Sequence, residues 1–197
     1  MKTLSAMTML CYLVSTSALL ADDQELSPQE QEALMMELGQ PGEEHEHFAD
    51  LVGSWDTEIK MFIPGVAEPQ VSEGSSEFEL ILDGRFLVQD FEGSFAGMEF
   101  YGHGMSGYDR IQEKYIGTWM DSFSTGMMTL EGTYDEQAGT MTEIGTTAAP
   151  GGEMTMKNVT EFRSDDEFLL TIYTVEADGT DTKLMEITYT RAEEGDE

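Results

Sequence analysis

The stretch TWMDSFSTGMM, residues 118–128, combines several side chains that are able to do chemistry. Asp121 supplies a carboxyl group, and Ser122, Ser124 and Thr125 supply hydroxyl groups. A tryptophan precedes them and two methionines follow. Three interpretations fit this composition: a catalytic cluster, the lining of a binding pocket, or a polar turn between two strands.

A catalytic serine requires a histidine and a carboxylate beside it. The chain offers His45 and His103 as partners for Ser122 or Ser124, but it has no Gly-x-Ser-x-Gly nucleophile elbow. Asp121 and Ser122 are neighbours on a predicted strand, so their side chains point to opposite faces and cannot act together. Asp121 alone remains a candidate general acid or base, provided that desolvation shifts its pKa.

The histidines do not have the spacing of a metal site. His45 and His47 are two residues apart, which places them on different sides of a helix, whereas zinc-binding helices space their histidines by four. The one cysteine, Cys11, lies in a segment that we expect to be removed. The sequence therefore predicts no metal site and no cofactor.

The formal net charge of −31 restricts the class of partner. Such a surface repels phosphate backbones, so nucleic-acid binding is not expected. Anionic membrane surfaces are disfavoured for the same reason. High solubility is the simplest consequence of this charge.

An export signal is predicted over residues 1–21. Lys2 is followed by an apolar run and by small residues before Asp22, which is the layout of a secretory signal peptide. The run is short for a membrane span, which needs about 20 apolar residues. We therefore expect a periplasmic or secreted protein, with no membrane insertion after cleavage. A short acidic tail is predicted at 193–197.

Two short helices are predicted ahead of the strands. The sequence SPQE at 27–30 is a capping box with proline at the first helical position, and it begins a helix in the segment 22–40. A second helix is predicted at 43–52. His45 and Phe48 are three residues apart, so they lie on the same side of it.

After Gly53 the apolar period changes from helical to alternating. Trp55, Thr57 and Ile59 point one way, while Asp56 and Glu58 point the other. Strand-like runs continue at nearly even spacing, separated by turn residues, within a predicted barrel domain at 41–192. There are ten of them: 54–63, 70–82, 85–94, 98–108, 113–122, 125–134, 138–147, 154–163, 167–176 and 182–191.

Ten short strands without intervening helices predict an all-β, antiparallel, up-and-down barrel, because closure removes the two exposed edges of an open sheet. A barrel of eight strands is nearly filled by its own side chains or holds one small ligand. Ten strands should therefore leave an internal cavity.

Alternation on the strands selects the residues that line this cavity. Trp119 and Asp121 share a face of the fifth run, before a tight turn near 123–125. The predicted lining also includes residues of the sixth and eighth runs: Met128, Leu130, Tyr134, Met154 and Met156. Methionine and aromatic residues with a few polar groups are typical of small-molecule sites. Side chains of the same types also serve simply to fill a barrel.

The motif GSWD at 53–56, at the start of the first strand, resembles the first-strand signature of the calycins, the lipocalin and fatty-acid-binding barrel group. The resemblance implies that Trp55 closes one end of the barrel. An arginine near the end of the barrel sequence then packs over it, and YTR places Arg191 there. We assign His45, on the predicted helix, to the same closed end.

A longer resemblance covers residues 40–191. The blocks PGEEHEHFADLVGSWD, GYDRIQEKYIGTWMDSFSTGMMTLEGTYD and MEITYTR are similar to an uncharacterised bacterial domain-of-unknown-function family, numbered 1579. Phe123 stands where the family pattern has methionine. The resemblance implies a calycin-like barrel and brings no established activity.

These observations favour an exported barrel that binds a small, largely apolar molecule in its lumen. An enzyme that uses Asp121 as general acid or base is the first alternative. A structural protein with a filled barrel and no ligand is the second.

Overall fold

The computed structural model describes residues 26–95 and 97–193. It is a closed antiparallel barrel in which each strand pairs with its sequence neighbours and the first strand pairs with the tenth. The all-β, ten-stranded, up-and-down fold predicted from the sequence is confirmed. The strands are β1 Gly53–Met61, β2 Gln70–Ile81, β3 Phe86–Phe95, β4 Met98–Asp109, β5 Lys114–Asp121, β6 Met128–Asp135, β7 Thr140–Ala149, β8 Gly152–Ser164, β9 Glu167–Val175 and β10 Asp181–Arg191.

An exposed helix, α1 (Pro28–Leu38), precedes the barrel. It begins with the predicted capping box, in which the side chains of Ser27 and Glu30 each bond to the other residue's backbone N–H. None of its residues is buried. Two arginines from hairpin turns of the barrel hold its C-terminal end: Arg85 donates to the carbonyl of Gly39, and Arg110 donates to that of Glu37.

The second helix is shorter than predicted. Instead of one helix at 43–52, a 3-10 turn, Glu43–His45, is followed by a single α-helical turn, α2 (Glu46–Ala49). The segment nevertheless covers one end of the barrel, because Phe48 is buried there and packs edge-on against the ring of Tyr115. Phe48 therefore anchors this short segment in the barrel core.

Alternation along the strands separates the core from the solvent. On β1, Trp55, Thr57 and Ile59 are buried, while Asp56 and Glu58 are exposed. The outer face of the barrel therefore carries charge and the inner face is mostly apolar. None of the helices in the described part of the chain is long and apolar enough to cross a membrane.

The sixth strand begins later than predicted. β5 ends at Asp121 and β6 begins at Met128, so residues 122–127 form a loop instead of a tight turn near 123–125. Side-chain bonds within the loop replace strand pairing: the hydroxyl of Ser124 accepts from the N–H of Gly126. The predicted signal at 1–21 and most of the predicted acidic tail lie outside the described residues.

Aromatic rings fill the closed end of the barrel. Trp55 is 1% exposed, and its indole N–H donates to the carbonyl of Leu51, just after α2, at 2.8 Å. Phe168 packs edge-on against Trp55 with ring centroids 4.9 Å apart, and it stacks on Tyr189 at 4.2 Å. Aromatic pairs of this kind contribute about 0.5–1.5 kcal/mol beyond the burial of their area.

Arg191 joins three parts of the chain at this end. Its guanidinium carbon lies 4.3 Å from the centre of a Trp55 ring. The guanidinium group donates to the carbonyls of Asp50 and Val52, which follow α2, and to that of Asp165 in the β8–β9 turn. The pairing of Trp55 with Arg191 in the β1–β10 register places the two side chains together.

We expect Arg191→Lys to lower the free energy of unfolding by about 2–3 kcal/mol, because a lysine cannot reproduce the planar fork that bonds to several carbonyls at once. Arg163→Lys is the matched control. Arg163 makes one exposed ion pair, with Glu167, so its change should cost less than about 1 kcal/mol. Urea unfolding measures the free energy of unfolding of both variants. Equal small losses of this free energy would show that Arg191 has no special role.

Candidate functional site

The barrel encloses a cavity of about 580 Å³, so it is not filled by its own side chains. The cavity is closed at one end by α2 and the residues after it, with Phe48 and Leu51 in its lining. At the other end its lining includes the exposed residues Phe123, Ser124 and Pro150, so the cavity reaches the surface there. We call this end the mouth.

Methionines and aromatic rings form most of the cavity wall. The methionines are spread around the barrel: Met61, Met128, Met141, Met154, Met156 and Met185. Thioether side chains adapt to irregular shapes, and aromatic rings offer rigid apolar faces. Such a wall suits a molecule whose surface is largely apolar.

Nearly all the lining residues predicted from the sequence lie on this wall. They come from β5, β6 and β8: Trp119, Asp121, Met128, Leu130, Met154 and Met156. Tyr134 is the exception. It lies at the closed end, where His47 packs on it with ring centroids 4.4 Å apart, and it lines a smaller cavity of about 220 Å³. Its face was predicted correctly, but its depth places it beneath α2 and outside the main cavity.

Two glycines of β4 make room for Trp119. A Cβ atom built at Gly102 would lie 2.3 Å from Cζ2 of the indole, and one built at Gly104 would lie 3.1 Å from its Cε3. Real side chains do not approach so closely, so the indole ring lies flat across the backbone of both glycines. The ring therefore belongs to the cavity wall and does not fill the lumen.

Asp121 is held by hydrogen bonds at the end of β5. One carboxylate oxygen accepts from the backbone N–H of Phe123 at 2.9 Å, and the other accepts from the indole N–H of Trp119 at 3.3 Å. The hydroxyl of Ser122 bonds elsewhere, to the N–H of Tyr101. These contacts pin the loop and orient the indole. The geometry thus supports a positioning role for Asp121 in the stretch at 118–128.

A cluster of three phenylalanines stands at the mouth. Phe100 packs edge-on against Phe95 and Phe123, with ring centroids 4.7 and 5.1 Å apart. Phe123 is 51% exposed, although it is large and apolar. Phe123 therefore adds an aromatic ring at the entrance to the cavity.

One polar group of the lumen is bonded internally. The amide N–H groups of Gln89 donate to the hydroxyls of Ser76, at 2.8 Å, and Tyr189, at 3.1 Å. Burial raises the pKa of the Tyr189 hydroxyl to about 12, so it stays neutral. This cluster is largely satisfied without a ligand.

A second polar group, on β7 and β8, is not satisfied in this way. Glu143 and Asn158 are paired across the two strands, and both line the cavity. In the described part of the chain the Glu143 carboxyl has no hydrogen-bond or ion-pair partner, and Oδ1 of Asn158 is buried without one. Burial raises the pKa of Glu143 to about 7.

Sequence reasoning missed Glu143 because β7 gives a misleading pattern. Its inner face presents Met141, Glu143 and Gly145, while Ile144 is exposed outside. The alternation of apolar and polar residues therefore does not mark the inner face. The available signal was the register with β6, where Gly132 lies opposite Glu143 and leaves space for a long side chain.

The histidines serve the closed end of the barrel. His45 is buried, and its Nδ1 accepts from the N–H of Gly42 at 3.0 Å, so the bond stays within its own turn instead of reaching the barrel. Burial is the main cause that lowers the pKa of His45. Its ring packs edge-on against Tyr108 of β4. Across residues 26–95 and 97–193, no three His, Cys, Asp or Glu side chains form a group able to hold a metal ion.

Comparisons with known proteins agree with this architecture. The family model described as "Protein of unknown function (DUF1579)" matches residues 40–191. No curated protein shows a detectable sequence match to the chain.

Solved structures show the same fold at low sequence identity. Rv2717c from M. tuberculosis is similar with a TM-score of 0.55 and 12% identity, over 78% of this chain and 100% of that one. The S-type phycobiliprotein lyase CPES from Guillardia theta is similar with a TM-score of 0.50 and 15% identity, over 76% of this chain and 93% of that one. At these identities the similarity concerns the fold alone.

The raised pKa of Glu143 predicts a pH-dependent cost to stability. Because the folded pKa, about 7, lies above the ordinary value of 4.5, the folded protein binds this proton more tightly than the unfolded chain does. The contribution of Glu143 to stability therefore falls as pH rises from about 5 to 8. We expect Glu143→Gln to stabilise the protein at pH 8 by an amount on the order of 3 kcal/mol, and much less at pH 5.

Urea unfolding of wild type and variant at both pH values measures this difference. The control is Glu79→Gln on the exposed face of β2, which removes one charge from the outside of the barrel. A stabilisation by Glu143→Gln that is equal at the two pH values, or equal to that of the control, would contradict the prediction.

Proposed function

The chain belongs to the DUF1579 family of proteins of unknown function, and we propose that it binds a small, largely apolar molecule in the lumen of its barrel. The observation that carries this proposal is the cavity of about 580 Å³ behind a mouth that reaches the surface. Its volume lies within the range of about 300–1,000 Å³ that is usual for small-molecule sites.

The make-up of the wall supports binding over catalysis. Apolar side chains dominate the lining, and the polar groups are dispersed among β3, β4, β5, β7, β8 and β10. The acid that the sequence put forward for catalysis, Asp121, has both oxygens engaged by neighbouring N–H groups. A ligand held by such a wall gains free energy mainly from the apolar area that it buries, at about 25 cal/mol per Å².

The mouth provides a route for the ligand. Phe123 is exposed at the entrance, on the loop at 122–127, and it is in contact with the Phe95 and Phe100 rings. An apolar molecule entering from water meets these rings before it reaches the methionines inside. Exposed apolar side chains beside a cavity are typical of ligand entrances.

The two tryptophans allow a direct test of lumen binding. Trp119 lies on the wall of the main cavity, whereas Trp55 is buried beneath Arg191 at the closed end. Trp55→Phe leaves Trp119 as the only tryptophan, and Trp119→Phe leaves Trp55. A neutral, medium-chain brominated alcohol quenches indole fluorescence only on contact. We expect it to quench the Trp119 protein saturably and to leave the Trp55 protein nearly unchanged.

Fluorescence titration below the micelle concentration makes the measurement, with the unbrominated alcohol as competitor. Equal quenching of the two proteins would indicate partition at the surface. No saturable quenching of Trp119 would contradict binding in the lumen.

We also propose export to the periplasm or the exterior, on the support of the Lys2, apolar and small-residue pattern at 1–21. An intact mass of protein purified from its own host, taken under denaturing conditions, tests it. We expect a start near residue 19 or 22, after a small alanine. A membrane-bound product that begins at Met1 would contradict this proposal.

A further inference from the structure

The side chain of Glu143 lies in a groove made by two glycines. A Cβ built at Gly132 of β6 would lie 2.7 Å from Cγ of Glu143, so no other residue type fits there without displacing the side chain. Farther along, a Cβ built at Gly117 of β5 would lie 3.4 Å from Oε1. The carboxyl is thus carried across β6 and over β5, inside the barrel.

Polar side chains in this part of the lumen lack hydrogen-bond partners within the described chain. The neighbouring Asn158 is 9% exposed, and its Oδ1 has no hydrogen-bond partner among the described residues. Two other polar side chains of the lumen are engaged: the hydroxyl of Tyr115 donates to the carbonyl of Glu44, and the amide of Gln89 donates to the hydroxyl of Ser76. Buried polar groups are nearly always paired, so these two acceptors, which have no donors among the described residues, call for donors from elsewhere.

The charged side chains that line the cavity indicate which charge a donor group on a ligand would carry. The cavity wall carries two carboxyl groups, Asp121 and Glu143, and within the described residues it carries no lysine or arginine. An anionic ligand would find no lysine or arginine there to pair with. An ammonium group supplies both the positive charge and the N–H donors that the Glu143 carboxylate lacks.

We propose that the lumen takes an apolar molecule bearing a protonated primary or secondary amine, with its nitrogen received by the Glu143 carboxylate and its apolar part lying among the methionines toward the mouth. This inference rests on the proposed function, and it names the class of ligand for the same cavity.

The affinity for the amine should depend on pH, because the Glu143 carboxyl titrates inside the lumen. Since burial raises the pKa of Glu143 to about 7, the carboxyl must lose its proton to receive an ammonium group, and affinity should rise with pH toward 8. The other titratable groups that line the cavity are His47 on α2, Asp121 and Tyr115 on β5, and Tyr189 on β10. A glutamine at position 143 separates the effect of Glu143 from theirs.

Decylamine, decanol and decanoate differ only in their polar end and provide the probes. Calorimetric titration at pH 8, below micelle concentrations and in roughly 0.5 M salt to screen the exposed charges, compares them. We expect wild type to bind decylammonium at least about tenfold more tightly than decanol, and decanoate more weakly than both. The preference for decylammonium over decanol should shrink as pH falls to 5.5.

Three variants test whether Glu143 is responsible for the preference for decylammonium over decanol. Glu143→Gln should bind decylammonium no better than decanol. Glu143→Leu, which replaces the carboxyl with an apolar side chain, should also show no preference for decylammonium over decanol, and it serves if the glutamine variant fails to fold. Glu79→Gln, on the outer face, should keep the wild-type preference.

The outcomes separate this inference from the function on which it rests. Decanol binding without any preference for decylammonium in wild type overturns the inference and leaves lumen binding in place. A preference for decylammonium that survives in both Glu143 variants, or that is lost equally in Glu79→Gln, also overturns the inference and leaves lumen binding in place. Failure of all three probes to bind overturns the proposed function together with the inference.

Discussion

The contact between Arg191 and Trp55 is the interaction on which the rest of the structure depends. It joins the first and last strands of the barrel, and through the carbonyls of Asp50 and Val52 it also fixes the segment that covers the closed end. A cavity open at both ends would be a channel. Arg191, with its planar fork of donors, holds the covering segment in place, so the cavity is closed at this end and open at the mouth.

Glycines decide which side chains lie along the wall and which project into the lumen. The indole of Trp119 lies flat because Gly102 and Gly104 leave space beneath it, and Glu143 crosses β6 because Gly132 does. Strand β8 is five strands from β3 in either direction around the barrel, so the unsatisfied group at Asn158 faces the satisfied one at Gln89. Of these two polar groups, the one without hydrogen-bond partners in the described part of the chain therefore lies on the wall opposite the satisfied one.

Much of this fold is readable from the sequence because a β-strand repeats every two residues. Ten alternating runs, together with Trp55 and Arg191 at their limits, predict closure, and the faces of β5, β6 and β8 place Trp119, Met128 and Met154 inward. The two-residue period indicates the face on which a side chain lies, but it does not indicate how far along the barrel axis the side chain lies. Tyr134 was therefore assigned to the main cavity. The contacts of Asp121 and the isolation of Glu143 depend on how neighbouring strands are aligned. No single strand carries that information.

The pairing of β1 with β10 has a consequence for the order of events in folding. The two strands that complete the ring of hydrogen bonds begin and end the barrel, with Trp55 paired to Arg191. During synthesis the ring cannot close until the last strand has left the ribosome, and contacts so distant in sequence form slowly. The growing chain therefore remains an open sheet or less until β10 has been made.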